Sequence, residues 1–316
     1  MKLTWRVVAD GLAFPEGPVP LRDGSVLLSE MAAGRITRVR SDGTRDVVAE
    51  VGGGPNGIAV LPDGSLAVCQ GGGSGWAVRP WPYPGPGSVE LLLPTGAASV
   101  PVTPQVLRVT AHGDVSPLHT HDETGEPLKK PSDLVVDSDG GLYLTDFGGL
   151  QGRTRALAGV LYAPPGGDLR EIVFPVELAN GIALAPDESE LYVTETRTRR
   201  VWGFELTAPG EVGAWRSVAT IPAGGPIGFG SADGCCVDAH GNIVVATIGR
   251  GGVTIVAPDG TIVSEAPLDD PMPTNAAFGG PDGTTIYVTC GSSGRLMALD
   301  GWNVAGALAP PVFGER

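Results

Sequence analysis

A single hairpin pattern recurs six times along this chain and constrains the fold more than any other feature. In each copy a polar residue stands seven positions before a turn pair, with a short apolar strand between them and a second apolar strand after the turn. The six polar residues are Glu16, Asn56, Ser132, Asn180, Asp233 and Asn275, and the turn pairs begin at residues 23, 63, 139, 187, 240 and 282. Such repetition indicates a repeat architecture, in which the six polar residues occupy equivalent places.

The spacing of the copies predicts the type of repeat. Successive polar residues are 40, 76, 48, 53 and 42 positions apart, close to one four-stranded propeller blade except for the second interval. With 49 Gly and 29 Pro in 316 residues, the composition is typical of an all-β chain. We therefore predict an all-β, six-bladed β-propeller of four-stranded antiparallel blades, with residues 1–316 forming one domain. The strand near Trp5 is expected to close the ring beside the C-terminal strand at residues 295–299.

The blade geometry places particular residues at one end of the propeller. If each marked residue opens the innermost strand of its blade, all six meet around the central axis at one mouth. Second strands return to this mouth, so the polar residues at their ends are expected to form an outer shell. These residues are Glu30, Gln70, Asp146, Glu195 and Thr247.

The long second interval predicts an insertion over the same mouth. Residues 71–105 follow the second strand of blade two and form a Pro-rich stretch that carries Trp76, Trp81 and Tyr83. We interpret this insertion as a lid or substrate wall, because long structured loops at a mouth are often functional. A tolerated surface loop is the alternative, since long excursions cost little entropy.

Three residues of the ring suggest a metal site. Glu16, Asn180 and Asp233 offer hard oxygen ligands, which suit Ca²⁺, Mg²⁺ or Mn²⁺ better than a soft metal. Two carboxylates on one narrow axis would also repel each other without a cation between them. A polar plug filled with ordered water is the alternative, and the Asn-Gly pairs at 56 and 180 could be simple turns.

Net charge and composition limit the classes of binding partner and the cellular compartment that we expect. A formal charge of −14 disfavours nucleic acid and anionic membranes, which attract basic surfaces. The N-terminus lacks an apolar signal core, and no apolar run is long enough to span a membrane. The four cysteines show neither a disulfide framework nor zinc spacing, so we expect reduced thiols in a cytoplasmic protein. The sequence leaves the oligomeric state open.

Several motifs resemble those of the SMP-30/gluconolactonase/LRE-like family of six-bladed propellers. Segments 14–18 (FPEGP), 179–183 (ANGIA) and 232–234 (ADG) are similar to the motifs that supply its metal ligands. Segments 131–134 (PSDL) and 143–148 (YLTDFG) resemble motifs of its lactonase branch. These motifs, with the last two segments counted as one, are four that follow the family's order, and the resemblance covers nearly the whole chain.

The resemblance implies a metal-dependent lactonase that opens a small-molecule lactone or ester. It implies that Glu16, Asn180 and Asp233 bind one divalent cation, Ca²⁺ first and Mg²⁺, Mn²⁺ or Zn²⁺ as alternatives, and that Asp233 is also the general acid/base. The expected substrate contacts are Ser132, Lys130, His121, Asn56 and Trp76. Ser132 stands where relatives usually have Asn or Asp. Asp133 is offset by one residue, so strand alternation turns it away from the axis unless the backbone shifts.

Other functions fit the same scaffold. A hydrolase of phosphotriesters, fluorophosphates or aryl esters would use the same metal and oxyanion chemistry. A non-hydrolytic lyase or cyclising enzyme is a further alternative. A non-catalytic, ligand-binding propeller also remains, because fold does not fix function. His119 and His121 could suggest a metal pair, but two histidines without a partner carboxylate are more often solvent-facing.

Overall fold

The computed structural model describes residues 2–81, 88–151, 153–224 and 231–314. Within these ranges the chain forms six four-stranded antiparallel sheets, the blades of a propeller, and two additional two-stranded hairpins. The predicted six-bladed, all-β architecture is confirmed. No helix in these ranges has the length and hydropathy that a membrane span requires.

The strands follow the repeat in chain order. The first half comprises β1 (Thr4–Ala9), β2 (Pro15–Pro20), β3 (Val26–Glu30), β4 (Arg35–Val39), β5 (Arg45–Glu50), β6 (Pro55–Val60), β7 (Leu66–Gln70), β8 (Ser74–Trp81), β9 (Val89–Ala97), β10 (Gln105–Val109), β11 (Val115–His119), β12 (Pro131–Val136), β13 (Leu142–Asp146) and β14 (Gly149–Gln151). The second half comprises β15 (Thr154–Ala156), β16 (Ala158–Ala163), β17 (Arg170–Val176), β18 (Ala179–Leu184), β19 (Glu190–Glu195), β20 (Arg200–Ala208), β21 (Glu211–Thr220), β22 (Ser231–Val237), β23 (Ile243–Ile248), β24 (Val253–Val256), β25 (Ile262–Ala266), β26 (Pro273–Gly279), β27 (Thr285–Cys290) and β28 (Arg295–Asp300).

Five blades are built from consecutive segments, and the sixth joins the two ends of the chain. Blades 1 to 5 begin with β2, β6, β12, β18 and β22, and blade 6 has the order β26-β27-β28-β1. Strand β1 pairs with β28 from Thr4 opposite Asp300 to Ala9 opposite Leu296. This pairing closes the ring as the sequence predicts and removes two exposed sheet edges.

The six turn pairs, four of which are Asp-Gly, connect the first and second strands of the blades. In blade 1 the Asp23 carboxylate accepts a hydrogen bond from the Ser25 amide at 3.0 Å. Gly24 has φ +83°, a conformation that residues with a Cβ rarely adopt. The marked polar residues lie at the opposite end of each first strand. We call that end the site mouth and the end with the turns the far mouth.

The hydrophobic core is divided into six parts. The described residues form six apolar clusters, and each joins two neighbouring blades. In one of them Leu191 of blade 4 packs with Tyr143 of blade 3, and both side chains are almost fully buried. Because the core lies between blades, the blades hold one another in register around the axis.

The C-terminal segment 302–314 crosses the far mouth, and we call it the strap. Its backbone hydrogen bonds join it to turns of four blades, between Ala305 and Ala239, Gly306 and Gly283, Ala307 and Val237, Pro311 and Arg22, and Gly314 and Gly64. A cavity of about 340 Å³ lies between the strap and the inner strands. Asp133 and Asn275 line this cavity, so it extends along the tunnel as far as the marked residues.

Candidate active site

A chain of hydrogen bonds joins the marked residues of three blades. The amide Nδ2 of Asn56 donates to Ser132 Oγ at 3.4 Å, and Ser132 Oγ donates to Asn180 Oδ1 at 3.1 Å. The Asn180 Nδ2 atom donates to Thr196 Oγ1 at 3.1 Å. The amide oxygen of Asn180 thus already accepts the Ser132 hydroxyl, and its second lone pair is available to another ligand.

Three buried carboxyl groups lie in the tunnel beside this chain of hydrogen bonds. Burial raises the pKa of Glu16, and repulsion from Asp233 and Asp133 raises it further. Burial and the charge of Asp133 likewise raise the pKa of Asp233, although a hydrogen bond from Asn180 opposes the shift. Burial raises the pKa of Asp133 to about 7. No ion pair with a Lys or Arg offsets these charges among the residues that the structure describes.

The position of Asp133 differs from what simple strand alternation predicts. Its Oδ2 atom accepts a hydrogen bond from Asn275 Nδ2 at 3.1 Å, across the tunnel from blade 6 to blade 3. The cause is a register shift between Pro131 and Leu134, a β-bulge that re-aims the side chains within it. Each inner strand has such a shift at the equivalent place.

The sequence does contain a signal for Asp133. The residue after the marked one is glycine in four blades, at positions 17, 57, 181 and 234, and alanine in blade 6. These positions face the neighbouring inner strand at close range. A Cβ on Gly57 would lie 2.4 Å from Asp133 Oδ1, and one on Gly234 would lie 2.1 Å from Asn275 Cγ. Blade 3 has Asp133 at this position, where four other blades have glycine. Its carboxylate is therefore a third acidic group inside the tunnel.

Hydroxyl groups of the second strands hold the backbone of the neighbouring blade's marked residue. Thr194 Oγ1 accepts the Gly181 amide hydrogen at 2.8 Å and donates to the carbonyl oxygen of Asp233 at 2.7 Å. Ser29 makes the equivalent bond to the Asn56 carbonyl at 2.7 Å. Thr145 does the same for the Asn180 carbonyl. We call these bonds the hydroxyl bridges; each fixes one marked residue relative to the adjacent blade.

The side chains of the predicted outer shell already have hydrogen-bond partners within the protein. Glu30, Gln70, Asp146 and Glu195 are buried at the ends of second strands, and each accepts hydrogen bonds from backbone amides of the loop that precedes its own first strand. Gln70 also donates to the Gly52 carbonyl, and Asp146 accepts the amides of both Lys129 and Lys130. The Thr247 hydroxyl donates to Gly252. These groups organise the loops of the site mouth.

The insertion places an aromatic side chain at the mouth. Strands β8 and β9 form a hairpin, and Trp76 packs on Phe14, two residues before Glu16, with ring centroids 4.8 Å apart. The Leu92 amide donates to the Ser292 carbonyl of blade 6 at 3.3 Å. The hairpin therefore reaches from blade 2 to the loops of blades 1 and 6. Tyr83 lies outside the described residues.

The two remaining predicted substrate contacts lie in different surroundings. Lys130 is partly buried two residues before Ser132, with its Nζ atom 5.1 Å from the centre of the Phe147 ring, and burial lowers its pKa. His121 is exposed, and its Nδ1 atom contacts the carbonyl of Asp122. Since Asp122 is bridged to Leu169, beside the outermost strand of blade 3, the structure does not bring His121 to the axial ring.

The predicted ligands can hold a hard cation only if the side-chain amide oxygen of Asn180 binds it together with the two carboxylates. Within the described ranges, no three His, Cys, Asp or Glu side chains form a cluster with the spacing of metal ligands. The predicted ligands are two carboxylates and one amide, all oxygen donors. Burial first, and then repulsion between carboxyl groups, raises the pKa of Glu16 and Asp233, and a divalent cation between these groups would relieve the repulsion.

Curated relatives match part of the chain. A lactonase named drp35 from Staphylococcus epidermidis is 39% identical over 129 residues, which is 39% of this chain and 37% of the relative. The drp35 lactonase of Staphylococcus aureus is 39% identical over 131 residues, with the same coverage. The matched segment thus spans little more than a third of these relatives' length.

Solved structures share the fold along almost the whole chain. A gluconolactonase from Xanthomonas campestris superimposes with a TM-score of 0.73 at 23% identity, covering 94% of this chain and 89% of its own. A calcium-binding regucalcin from Agrobacterium tumefaciens has a TM-score of 0.71 at 17% identity, covering 98% and 97%. A sequence model of the SMP-30/gluconolactonase/LRE-like region matches residues 14–292, which include all six marked residues. The chain belongs to the SMP-30/gluconolactonase/LRE-like family.

Proposed function

We propose that this protein is a metal-dependent hydrolase that opens a lactone. The observation that carries the proposal is the convergence of buried carboxyl groups with an amide oxygen on the propeller axis, without a basic partner among the described residues. The family membership and the drp35 lactonases, matched over a third of their length, support the same reaction. Four free cysteines support a reducing, cytoplasmic location.

Glu16, Asn180 and Asp233 would hold the cation, with Ca²⁺ as the first candidate and Mg²⁺, Mn²⁺ or Zn²⁺ as alternatives. When bound, the cation would supply Lewis-acid polarisation of the ester carbonyl. The Glu16 carboxylate accepts the Gly17 amide at 3.2 Å and a hydrogen bond from the Thr274 side chain, and its two oxygens keep lone pairs for a further ligand. Asp133 lies beside these ligands and would add negative charge to the site.

Asp233 is proposed as the general acid/base. Its carboxylate would take a proton from the attacking water and return it to the leaving alkoxide. The Thr194 hydroxyl fixes the backbone of Asp233 and so its distance from the other marked residues.

The substrate would enter by the site mouth. Asn56 and Ser132 border the mouth through their hydrogen-bond chain, and Lys130 and Trp76 stand above it. We keep these four as proposed substrate contacts. His121 is left out, since its observed contact is with Asp122.

Metal removal tests the proposal directly. The purified protein is stripped with a chelator, reloaded with Ca²⁺, Mg²⁺, Mn²⁺ or Zn²⁺, and assayed by acid release on a lactone panel beside phosphotriesters and aryl esters. We expect lactone turnover that is lost on stripping and restored by Ca²⁺. Turnover confined to phosphotriesters, or unaffected by stripping, would contradict the proposal.

A substitution tests the general acid/base. Asp233→Asn should lower kcat by about 100-fold or more, because the amide cannot exchange the proton. Asp187→Asn, at an exposed far-mouth turn, is the control and should keep wild-type turnover. Circular dichroism should show that both variants are folded. Equal kcat for Asp233→Asn and the control would remove Asp233 from the mechanism.

A further inference from the structure

The cavity between the strap and the inner strands lies on the opposite side of the axial ring from the site mouth. All six inner strands contribute to its wall. At its inner end the Asn275 side chain donates a hydrogen bond to Asp133 across the tunnel. At its outer end Leu308 of the strap lines the cavity and is 52% exposed, so the cavity reaches the surface beside the strap.

The cavity is large enough for a small organic molecule. Protein interiors contain few voids larger than a water molecule. An apolar cavity of about 150 Å³ holds benzene. The volume of about 340 Å³ under the strap therefore has room for an aromatic ring with a short arm.

The wall of the cavity is mostly aliphatic and has one charged side chain. Val60, Val136 and Ala277 line it and keep part of their surface exposed. Among the residues that the structure describes, Asp133 is the only charged group in the wall, and no Lys, Arg or His lines it. Asp133 accepts hydrogen bonds from Asn275 at 3.1 Å and from the Leu134 amide at 3.0 Å, and both donors favour its ionised form.

A divalent cation on the axis would leave this charge unbalanced. Glu16, Asp233 and Asp133 carry three negative charges when ionised, and the cation supplies two positive ones. Asp133 is not among the proposed ligands of that cation, so the remaining negative charge lies at the inner end of the cavity. A buried carboxylate without a basic partner attracts a positively charged group.

Peptide groups of the wall can support such a group. Each inner strand pairs only with the second strand of its blade, so alternate peptide groups face the tunnel. One of them, the Val237 carbonyl, accepts the Ala307 amide of the strap. Peptide groups include both donors and acceptors and set no charge preference, whereas Asp133 does. Their carbonyl oxygens can accept the further N–H groups of a cation that Asp133 binds.

We propose that this cavity binds a small organic ammonium ion, with its nitrogen at Asp133 and an apolar body of one ring against the aliphatic wall under the strap. The site is separate from the proposed substrate entrance and does not depend on lactone hydrolysis. A tunnel that holds only water is the competing arrangement.

Three ligands test the charge and the apolar body separately. Benzylamine, benzyl alcohol and methylamine are titrated by calorimetry into the full chain at pH 8, above the Asp133 pKa of about 7, with and without Ca²⁺. Benzylamine should bind at least ~10-fold more tightly than benzyl alcohol, because its hydrogen bond to a carboxylate is charge-assisted. It should exceed methylamine by a similar factor of about 10, because methylamine has no ring to bury.

Two variants locate the bound amine. Asp133→Asn should reduce the affinity for benzylamine to that for benzyl alcohol. Ala277→Phe should weaken both ring ligands by about 10-fold or more, because Ala277 lines the cavity and the new ring takes up part of it. Ala214→Phe, at an exposed position on the outer strand of blade 4, is the matched control and should bind like the wild type.

The Cys236 thiol gives a measurement of location that needs no variant. Because Cys236 lines the cavity, saturating benzylamine should slow its modification by a thiol reagent in the wild-type protein. Unchanged modification of Cys236, or binding that Ca²⁺ abolishes, would place the amine outside the cavity and overturn the proposal. Equal affinities for benzylamine and benzyl alcohol, or binding of none of the three ligands, would overturn it as well.

Discussion

Individual side chains of this site are held by bonds to their backbone neighbours. Thr194 is fully buried, and its hydroxyl joins the Gly181 amide to the Asp233 carbonyl. Two of the proposed metal ligands, Asn180 and Asp233, are therefore connected through one side chain on the strand between them. Without this bridge, the distance between the two ligands should be less firmly fixed. The Gly181 amide and the Asp233 carbonyl should also lose a buried hydrogen-bond partner.

Thr194→Val should weaken Ca²⁺ binding by about 10-fold and lower the free energy of unfolding by about 1–3 kcal/mol. Thr254→Val is the matched control, since Thr254 is equally buried and its hydroxyl has no partner among the described residues. The control should keep Ca²⁺ affinity and lose no stability. Calorimetric Ca²⁺ titration and urea unfolding measure both effects. Thr194→Ser should restore the affinity, and unchanged Ca²⁺ binding in Thr194→Val would show that the bridge is structural only.

The charge of Asp133 predicts a pH dependence of the metal-free protein. Its pKa rises from an ordinary value of 3.8 to about 7 on folding, so the folded state binds more protons than the unfolded state between these values. Stability should therefore fall as the pH rises from about 4 to about 7, by no more than about 1.4 kcal/mol per pH unit from this group. Asp133→Asn should flatten the slope in urea unfolding of chelator-treated protein. Equal slopes in the variant and the wild type would assign the effect to other groups.

The repeat predicts where the marked residues lie, whereas strand alternation by itself misplaces Asp133. The repeat predicts the positions of Glu16, Asn180 and Asp233. Each stands seven positions before a turn pair, and this count stays the same whether or not the strand contains a β-bulge. Asp133 depends on a β-bulge, whose register shift cannot be read from strand alternation. The role of Glu30 and its equivalents was also missed, because their partners are backbone amides, which leave no trace in the sequence.

The inner strands pack on one another more closely than strands with side chains could. The inner strands β18 and β22 approach at Gly181, where a Cβ would lie 2.6 Å from the Asp233 carbonyl oxygen and 2.7 Å from Gly234 Cα. Because both obstacles are backbone atoms, they cannot move aside as a side chain could. The glycines after the marked residues thus set the diameter of the axial ring.

Gly181→Ala should lower the free energy of unfolding by about 1–3 kcal/mol, the usual cost of overpacking a tight core. It should also weaken Ca²⁺ binding, since the displaced strand carries Asp233. Gly149→Ala is the control, because a Cβ there meets nothing within 4 Å. Thermal unfolding with and without Ca²⁺ measures both variants. A Gly181→Ala protein as stable as the control would mean that the inner strands can separate without loss.

Elements outside the repeat were predicted less well than the blades. The insertion was expected as a Pro-rich lid or substrate wall with no strands assigned to it, whereas residues 74–97 contain a paired hairpin. The short hairpin β14–β15 was not predicted, because three-residue strands carry too little periodicity to be recognised. The role of the 71–105 insertion as a lid stays a prediction.

Closure of the whole ring depends on both ends of the chain. Strand β1 completes blade 6, and the strap ties the far-mouth turns of blades 5, 6, 1 and 2 to each other. Trp302 Nε1 also donates to Asp238 at 3.2 Å, and Phe313 packs on the cluster between blades 1 and 2. The strap therefore joins blades that are distant in sequence and covers the cavity below the axial ring.

Removal of the strap should open the tunnel from the far mouth. Cys236 lines the cavity under the strap, and burial raises the pKa of its thiol, so the intact protein should react slowly with a thiol reagent. A chain that ends at Gly301 should react at Cys236 at least ~10-fold faster under native conditions and should unfold at a lower temperature, because the thiol becomes accessible to water. The same truncation with Cys236→Ser identifies the reacting thiol. If the truncated protein stays folded by circular dichroism and Cys236 reacts no faster, the inner strands rather than the strap keep the tunnel closed.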